Sequence, residues 1–312
     1  MARAGTLGGD GGRTLTGVRT DRNGRLPVPP QLTPAYLREK VRESLAEDLG
    51  PDDLDLTTQA VIEGELEAEA ELVAKAPGVL AGVLVAAEVF RQVDASVDFE
   101  ALAEDGAQLA PGSRIARTRG SLRSLLRAER TALNFLQQLS GVATLTRSYV
   151  EAAAPGGRTI LLDTRKTIPG LRPLQRHAVL AGGGSNHRYN LADAILIKDN
   201  HVAAAGGVGV AVERARTAGR TVEVEVDDLA QLDEALGARA DAILLDNMSP
   251  SEVARAVAKV AGRVPLEVSG GVSLATVAAY AATGVDRISV GALTHSAAAL
   301  DISMEVRRTW KR

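Results

Sequence analysis

A chain of 312 residues, 45% of them hydrophobic, can bury one large domain and a smaller one. A formal net charge of -3 and an aromatic content of 3% leave no global basic field and few stacking platforms, so neither nucleic acid nor an anionic membrane surface is an expected partner. The absence of cysteine excludes disulfides, thiolate zinc sites and a cysteine nucleophile, and it fits a reducing, cytoplasmic setting.

Residues 1–32 are rich in Gly, Arg and Thr and lack the apolar core of a secretory signal, so they are expected to form a disordered tail. Residues 33–157 read as a small α+β domain. Thr33-Pro34 supplies a helix cap with proline at the first helical position, and Leu37, Val41, Leu45 and Leu49 follow at helical spacing. Residues 66–73 alternate apolar residues with Glu, the pattern of a half-buried strand. Turn signals follow at Pro77-Gly78, Asp105-Gly106 and Pro111-Gly112. A long helix is predicted from about residue 122 to 153, carrying Leu126, Arg130, Leu133, Leu136 and Leu139. No apolar run is long enough to span a bilayer.

From residue 158 to 312 the pattern changes. Short apolar runs at 159–162, 194–197, 222–226, 242–245, 266–268 and 287–290 each precede a polar or glycine-rich turn and then an amphipathic helix. Strands that alternate with helices imply βαβ units and a parallel sheet, and six of them favour a (β/α) barrel over an open doubly wound sheet. No G-x-G-x-x-G follows the first strand, so a dinucleotide site is not indicated.

Residue types suited to catalysis stand at the end of each run. Asp163-Thr164-Arg165-Lys166 follows the first and Lys198-Asp199-Asn200-His201 the second. Glu225 and Asp227 end the third, Asp246-Asn247 follows the fourth, Ser269-Gly270-Gly271 the fifth and Gly291 the sixth. In a barrel these ends meet on one rim. One such residue alone would be an ordinary strand stop; six together point to a site.

Val222-Glu223-Val224-Glu225-Val226-Asp227 puts valines on one face and acids on the other. Either the acidic face lines a polar interior, or the strand is an edge with one wet face. Glu225 and Asp246 are candidates to hold Mg²⁺, which takes few carboxylates together with substrate phosphate oxygens. No His/Cys spacing suggests zinc. Between residues 164 and 201 lie Arg165, Lys166, Arg172, Arg176, His177, His187, Arg188, Lys198 and His201, which suit a polyanionic ligand. A solvated basic face accounts for Arg172 and Arg176 but not for Lys198, which extends an apolar run. Gly182-Gly183-Gly184, Ser269-Gly270-Gly271 and Gly291 would let backbone approach phosphate.

Taken together, several stretches resemble the quinolinate phosphoribosyltransferase family. They are Glu129-Arg130-Thr131-Ala132-Leu133-Asn134, Asp163-Thr164-Arg165-Lys166-Thr167 and Asn186-His187-Arg188 after the triple glycine. Leu196-Ile197-Lys198-Asp199-Asn200-His201, Glu223-Val224-Glu225-Val226-Asp227, Leu244-Leu245-Asp246-Asn247, Ser269-Gly270-Gly271 and Val290-Gly291-Ala292-Leu293-Thr294-His295-Ser296 complete the set. The resemblance implies a smaller N-terminal α+β domain followed by an incomplete TIM-like (β/α) barrel, with the final helices returning to the N-terminal domain. It implies the joining of quinolinate to phosphoribosyl pyrophosphate with Mg²⁺, giving nicotinate mononucleotide, pyrophosphate and CO₂. It implies a homodimer or an assembly of dimers with shared sites, each completed by an arginine matching Arg130 of the neighbouring subunit. By matched motif, Arg130, Arg165, His187, Arg188 and Lys198 would surround the quinolinate carboxylates, with Lys166 and His201 nearby. Glu225 and Asp246 would face ribose and Mg²⁺, and Ser269, Gly270, Gly271, Gly291 and His295 would meet phosphate. His177 and Leu180 stand where many members carry Tyr and Arg. Competing readings are a paralogous transferase for another aromatic acid, a barrel lyase with Lys198 as Schiff-base nucleophile, and a non-catalytic sensor of an anionic metabolite.

Overall fold

The structure, a computed structural model, describes residues 26–311. Residues 1–25 of the expected tail lie outside that range. Residues 26–32 lie within it; the Leu32 N–H donates to the Pro29 carbonyl at 2.9 Å and the Leu32 side chain is buried. The chain divides into two compact units.

The first unit takes the described residues of Met1–Ala143, with Leu180–Gly183 and Leu300–Arg312. Helix α1 (Pro34–Leu49) starts where the sequence places a cap, since Thr33 Oγ1 accepts the Tyr36 N–H at 3.1 Å. Val41 and Leu45 form its buried stripe. Helix α2 (Leu56–Val61) is capped by Asp55. Then come β1 (Leu66–Ala74), β2 (Gly78–Val79), α3 (Val83–Val93), β3 (Asp98–Ala101), β4 (Gln108–Leu109), β5 (Arg114–Ser121) and α4 (Leu122–Ala153). Residues of α4 up to Ala143 belong to this unit.

The element that returns to this unit is a strand rather than the expected helices. Residues Ile302–Lys311 pair antiparallel with β1, giving a sheet in the order last strand, β1, β5, β3. Ile302, Met304 and Val306 repeat at period two, which a strand accommodates and a helix does not. Glu71 on β1 bolts both neighbours, accepting from Arg114 Nη1 at 3.0 Å and Arg307 Nε at 2.9 Å.

The second unit covers Thr144–Val179 and Gly184–Ala299. Its elements are β6 (Ile160–Leu162), α5 (Arg172–Ala181), β7 (Ile195–Ile197), α6 (Asp199–Ala205), α7 (Val208–Arg216), β8 (Val222–Val226), α8 (Leu229–Gly237) and β9 (Ala242–Asp246). They continue with α9 (Pro250–Val260), β10 (Leu266–Ser269), α10 (Val277–Ala281), β11 (Arg287–Ser289) and α11 (Ala292–His295). The six strands form one parallel sheet in the order β6-β11-β10-β9-β8-β7. β6 and β7 are its two ends, so the barrel is incomplete, and Ser185 adds one bridge to Leu162 on the free side of β6. Short caps begin the covering helices; Asp228 accepts two N–H groups of α8, and Ser249 with Glu252 forms a capping box on α9.

Strand β8 lies inside the sheet, between β7 and β9, and all five of its residues are buried. The wet-edge alternative for this strand therefore does not hold. Val222, Val224 and Val226 pack outward toward the helices, and Glu223 and Glu225 occupy the interior. Among the described residues no helix is long and apolar enough to cross a membrane.

Candidate active site

Parallel strands all point the same way, so their C-terminal ends converge, and period-two alternation decides which residues face inward there. The interior set runs across the sheet as Leu196 and Lys198 from β7 and its end, Leu244 and Asp246 from β9, Glu267 and Ser269 from β10, and Ser289 from β11. With the loops after β6 and β11 they enclose a cavity of about 790 Å³.

One wall is cationic. Arg165 and Lys166 come from the loop after β6, Arg188 from the segment after α5 and Lys198 from the end of β7, and all four line the cavity. Burial holds the Arg188 guanidinium below its ordinary range, and the charge of Arg165 adds to that effect. Two such neighbours favour an anion between them. The loop carrying Arg165 and Lys166 is tied down from both sides. Arg172 Nε donates to Thr167 Oγ1 at 3.0 Å, and the Thr294 hydroxyl donates to the Lys166 carbonyl at 2.7 Å.

Beneath this wall lies a buried polar network. Asp163 is fully buried and accepts the His187 N–H at 2.7 Å, Asn186 Nδ2 at 2.7 Å and Arg176 Nη1 at 3.4 Å. Arg176 also donates through Nη2 to the His187 carbonyl at 2.7 Å, and Arg172 donates through Nη1 to the Tyr189 carbonyl at 3.0 Å. Both guanidiniums lie over the Tyr189 ring, at 5.7 and 5.5 Å. Arg172 and Arg176 are thus internal braces, not the solvated basic face expected from sequence; Arg176 is buried. Burial pushes the Asp163 carboxyl up to about 6, with Arg176, the His187 amide and Asn186 opposing that rise.

His187 lines the cavity, and both of its ring nitrogens are engaged within the protein. Nδ1 accepts the Arg188 N–H at 2.7 Å, while Nε2 lies 3.2 Å from Glu223 Oε2 and 3.4 Å from Glu267 Oε1. Burial lowers the proton affinity of the ring, and the neighbouring carboxylates Glu223 and Glu267 raise it. A second ring proton would have to sit on Nδ1, against the Arg188 amide. The ring proton therefore sits on Nε2.

The acidic side is formed by Asp246, which lines the cavity, and by Glu225, whose Oε2 accepts from Lys198 Nζ. Burial raises the Asp246 carboxyl; Lys198 opposes this and Asp227 adds to it. Asn247 Nδ2 donates to Asp246 Oδ2 at 2.7 Å. Ser269, Gly270, Gly271, Gly291 and His295 also line the cavity, and Gly291 and His295 lie next to Lys166.

Two expectations land elsewhere. His201 is exposed and accepts the Lys198 N–H on Nδ1 at 3.0 Å, so it caps α6 and does not line the cavity. Arg130 is exposed on α4 in the first unit, outside this chain's own cavity, as an arginine expected to serve a neighbouring subunit would be. The triple glycine also lies outside it; a Cβ on Gly184 would come within 2.9 Å of Thr146 Cγ2 and Val179 Cγ1, so that glycine serves packing. Sequence reasoning missed Glu267, although an acid inside the run Leu266-Glu267-Val268 carries the same signal as Glu223 and Glu225.

Comparison with known proteins agrees with this geometry. Residues 55–140 match the family "Quinolinate phosphoribosyl transferase, N-terminal domain" and residues 142–305 match its C-terminal domain. The chain belongs to the quinolinate phosphoribosyltransferase family. A nicotinate-nucleotide pyrophosphorylase [carboxylating] of Mycobacterium leprae is 45% identical over 276 residues, 86% of this chain and 96% of that protein. A probable nicotinate-nucleotide pyrophosphorylase [carboxylating] of Bacillus subtilis is 42% identical over 273 residues, 86% of this chain and 93% of that protein. Among solved structures, the nicotinate-nucleotide pyrophosphorylase from Francisella tularensis superposes with a TM-score of 0.84 at 42% identity, over 90% of this chain and 98% of that one.

Proposed function

We infer that the chain transfers the phosphoribosyl group of phosphoribosyl pyrophosphate to the ring nitrogen of quinolinate and releases CO₂, giving nicotinate mononucleotide and pyrophosphate. This is a step of NAD biosynthesis. The carrying observation is one cavity lined by Arg165, Lys166, Arg188 and Lys198 together with Asp246, in a chain of this family. Two polyanions repel each other, and fixed cations offset that repulsion while holding the ring nitrogen near the sugar. As the C1′–pyrophosphate bond breaks, positive charge develops on the sugar, and the carboxylates of Asp246 and Glu225 favour it. The ring nitrogen bonds to C1′ and becomes positive. It then stabilises the electron pair left on the adjacent carbon when CO₂ departs, and that carbon takes up a proton.

Mg²⁺ arriving with phosphoribosyl pyrophosphate belongs to the same proposal. The residues fit it, since burial and the like charge of Asp227 both raise the Asp246 carboxyl and a cation would offset both, with Glu225 on the adjoining strand. Asp246 and Glu225 would hold the ion, which would neutralise charge on the pyrophosphate leaving group. Ser269, Gly270, Gly271, Gly291 and His295 are proposed to meet phosphate. A homodimer, or an assembly of dimers, is the proposed state, with the exposed Arg130 of a second copy completing each site. The proposed compartment is the cytoplasm.

The test is a substrate panel. Quinolinate, nicotinate and nicotinamide are each supplied with phosphoribosyl pyrophosphate and Mg²⁺, and CO₂ and pyrophosphate are measured. Equal release of both from quinolinate alone is expected. Turnover of nicotinate in preference to quinolinate would point to the paralogous activity, and borohydride trapping at Lys198 to a lyase.

A further inference from the structure

Two carboxylates of the barrel interior, Glu223 on β8 and Glu267 on β10, have no part in the chemistry above. Their residues are 7% and 1% exposed. No well-formed hydrogen bond reaches Glu223 Oε1 or either oxygen of Glu267. Burying an acid in mid-strand is costly unless a partner or a task offsets it. Both acids face one group, His187 Nε2, at 3.2 and 3.4 Å.

Each of the three residues offers one ligand atom, and these atoms lie within 4.8 Å of one another, a set that would suit a divalent cation. The other side of the ring decides against a metal. The Arg188 N–H donates to Nδ1 at 2.7 Å, so Nδ1 carries the lone pair and the ring hydrogen sits on Nε2. A ring protonated at Nε2 has no lone pair there to give a metal. The Nε2–H instead lies beside the two carboxylates, whose charges attract it from 3.2 and 3.4 Å.

The consequence reaches the cavity through Arg188. The backbone of His187 is gripped at its N–H by Asp163 and at its carbonyl by Arg176, both at 2.7 Å. The imidazole is then what seats the next amide, and it can do so only while its plane is fixed. Arg188 Nη1 donates to the Ala194 carbonyl at 2.9 Å, and the residue lines the cavity. We propose that Glu267, together with Glu223, is a positioning residue: the two carboxylates seat the Nε2–H of His187, and the ring so held fixes the Arg188 amide and aims the Arg188 guanidinium at the anionic substrate. The identity of that anion rests on the quinolinate reading; the seating of the ring does not.

Two measurements test this. In wild-type protein labelled with ¹⁵N-histidine, with His187→Gln used to assign the ring, Nε2 is expected to be protonated and Nδ1 unprotonated near neutral pH. In Glu267→Gln, whose amide brings N–H donors against the same ring, the KM for quinolinate is expected to rise on the order of 10-fold. The KM for phosphoribosyl pyrophosphate should stay within about 2-fold and the thermal midpoint should hold. A protonated Nδ1 in the wild type, or an unchanged quinolinate KM in a folded Glu267→Gln, would overturn the proposal. So would Mn²⁺ binding in the absence of phosphoribosyl pyrophosphate that disappears in Glu267→Gln. Should the wild type fail to turn over quinolinate, the substrate assignment falls, and the ¹⁵N shifts still decide the seating of His187.

Discussion

Gly291 has φ -65° and ψ -32°, an ordinary helical conformation, so alanine there brings no backbone strain. What glycine provides is room. An added Cβ would lie 2.9 Å from Lys166 Cδ and 3.2 Å from His295 Nε2. The nearer atom belongs to a flexible side chain, so Lys166 gives way and the strand does not. A displacement of about 1 Å at a positioning group costs on the order of 10²-fold in rate, or about 2.7 kcal/mol of barrier. Gly270 makes the contrast. Its φ is +86°, and a Cβ there would meet Asn247 Oδ1 at 2.3 Å and the Asn247 backbone nitrogen at 3.1 Å. Asn247 cannot retreat easily, because its N–H donates to the Ser269 carbonyl at 3.0 Å and its amide holds Asp246. Left-handed strain of about 1–2 kcal/mol and overpacking of about 1–3 kcal/mol together predict a loss of roughly 2–5 kcal/mol for Gly270→Ala. Urea denaturation and steady-state kinetics on both variants separate the two effects. Gly291→Ala is expected to keep wild-type stability within about 0.5 kcal/mol and lose on the order of 10² in kcat/KM. Full kcat/KM in that variant would refute the placing of Lys166 and His295, and a stability loss matching that of Gly270→Ala would refute the argument from space.

Arg165→Ala and Lys198→Ala are each expected to lower kcat/KM by on the order of 10² or more, because each removes a cation facing two anions; a folded Arg165→Ala with wild-type turnover would strike it from the site. Asp163 makes stability depend on pH. Its carboxyl is raised from 3.8 to about 6 by burial, so the folded chain holds this proton more tightly than the unfolded one. Its contribution is then fully present below pH 3.8 and lost as pH rises to about 6, and urea midpoints of Asp163→Asn across that window should lack this slope. Ser249→Ala removes the cap of α9 and should cost about 1 kcal/mol in the same denaturation assay, leaving kcat/KM unchanged.

Much of the fold is legible from local rules. Thr33-Pro34 starts α1 because the cap is a contact over three residues, and α4 runs over Leu122–Ala153, as the spacing predicts. All six barrel strands fall within the runs read from sequence or one residue beyond them. The returning strand at Ile302–Lys311 was not legible. Its partner β1 lies more than 200 residues away in the chain, and pairing at that distance leaves no local trace. The role of Gly184 was hidden for a similar reason, since the atoms that exclude a Cβ come from Thr146 on α4 as well as from nearby Val179.

The candidate site divides along the same line. That strand-end residues gather is a stereochemical consequence of parallel strands, which is why Lys166, Lys198, Asp246, Ser269 and Gly291 share one cavity. Which side chain a buried acid engages is not such a consequence. It depends on register across the sheet, and there Glu223 sits beside Leu196 and Ala242, neither of which can pair with it. Its partner His187 comes from a segment outside the six-stranded sheet, and so does its companion's, for Glu267 faces the same ring. A barrel interior that carries Glu223, Glu225 and Glu267 on strands whose other residues are Val and Leu, with Ser269 at the end of one, is polar by construction, and its charge has to be met from outside those strands. Lys198 meets one acid and His187 meets two. The loop segment 186–188 is therefore held by the barrel floor as firmly as by its own backbone, and the floor's acids help decide where the cations of the wall point.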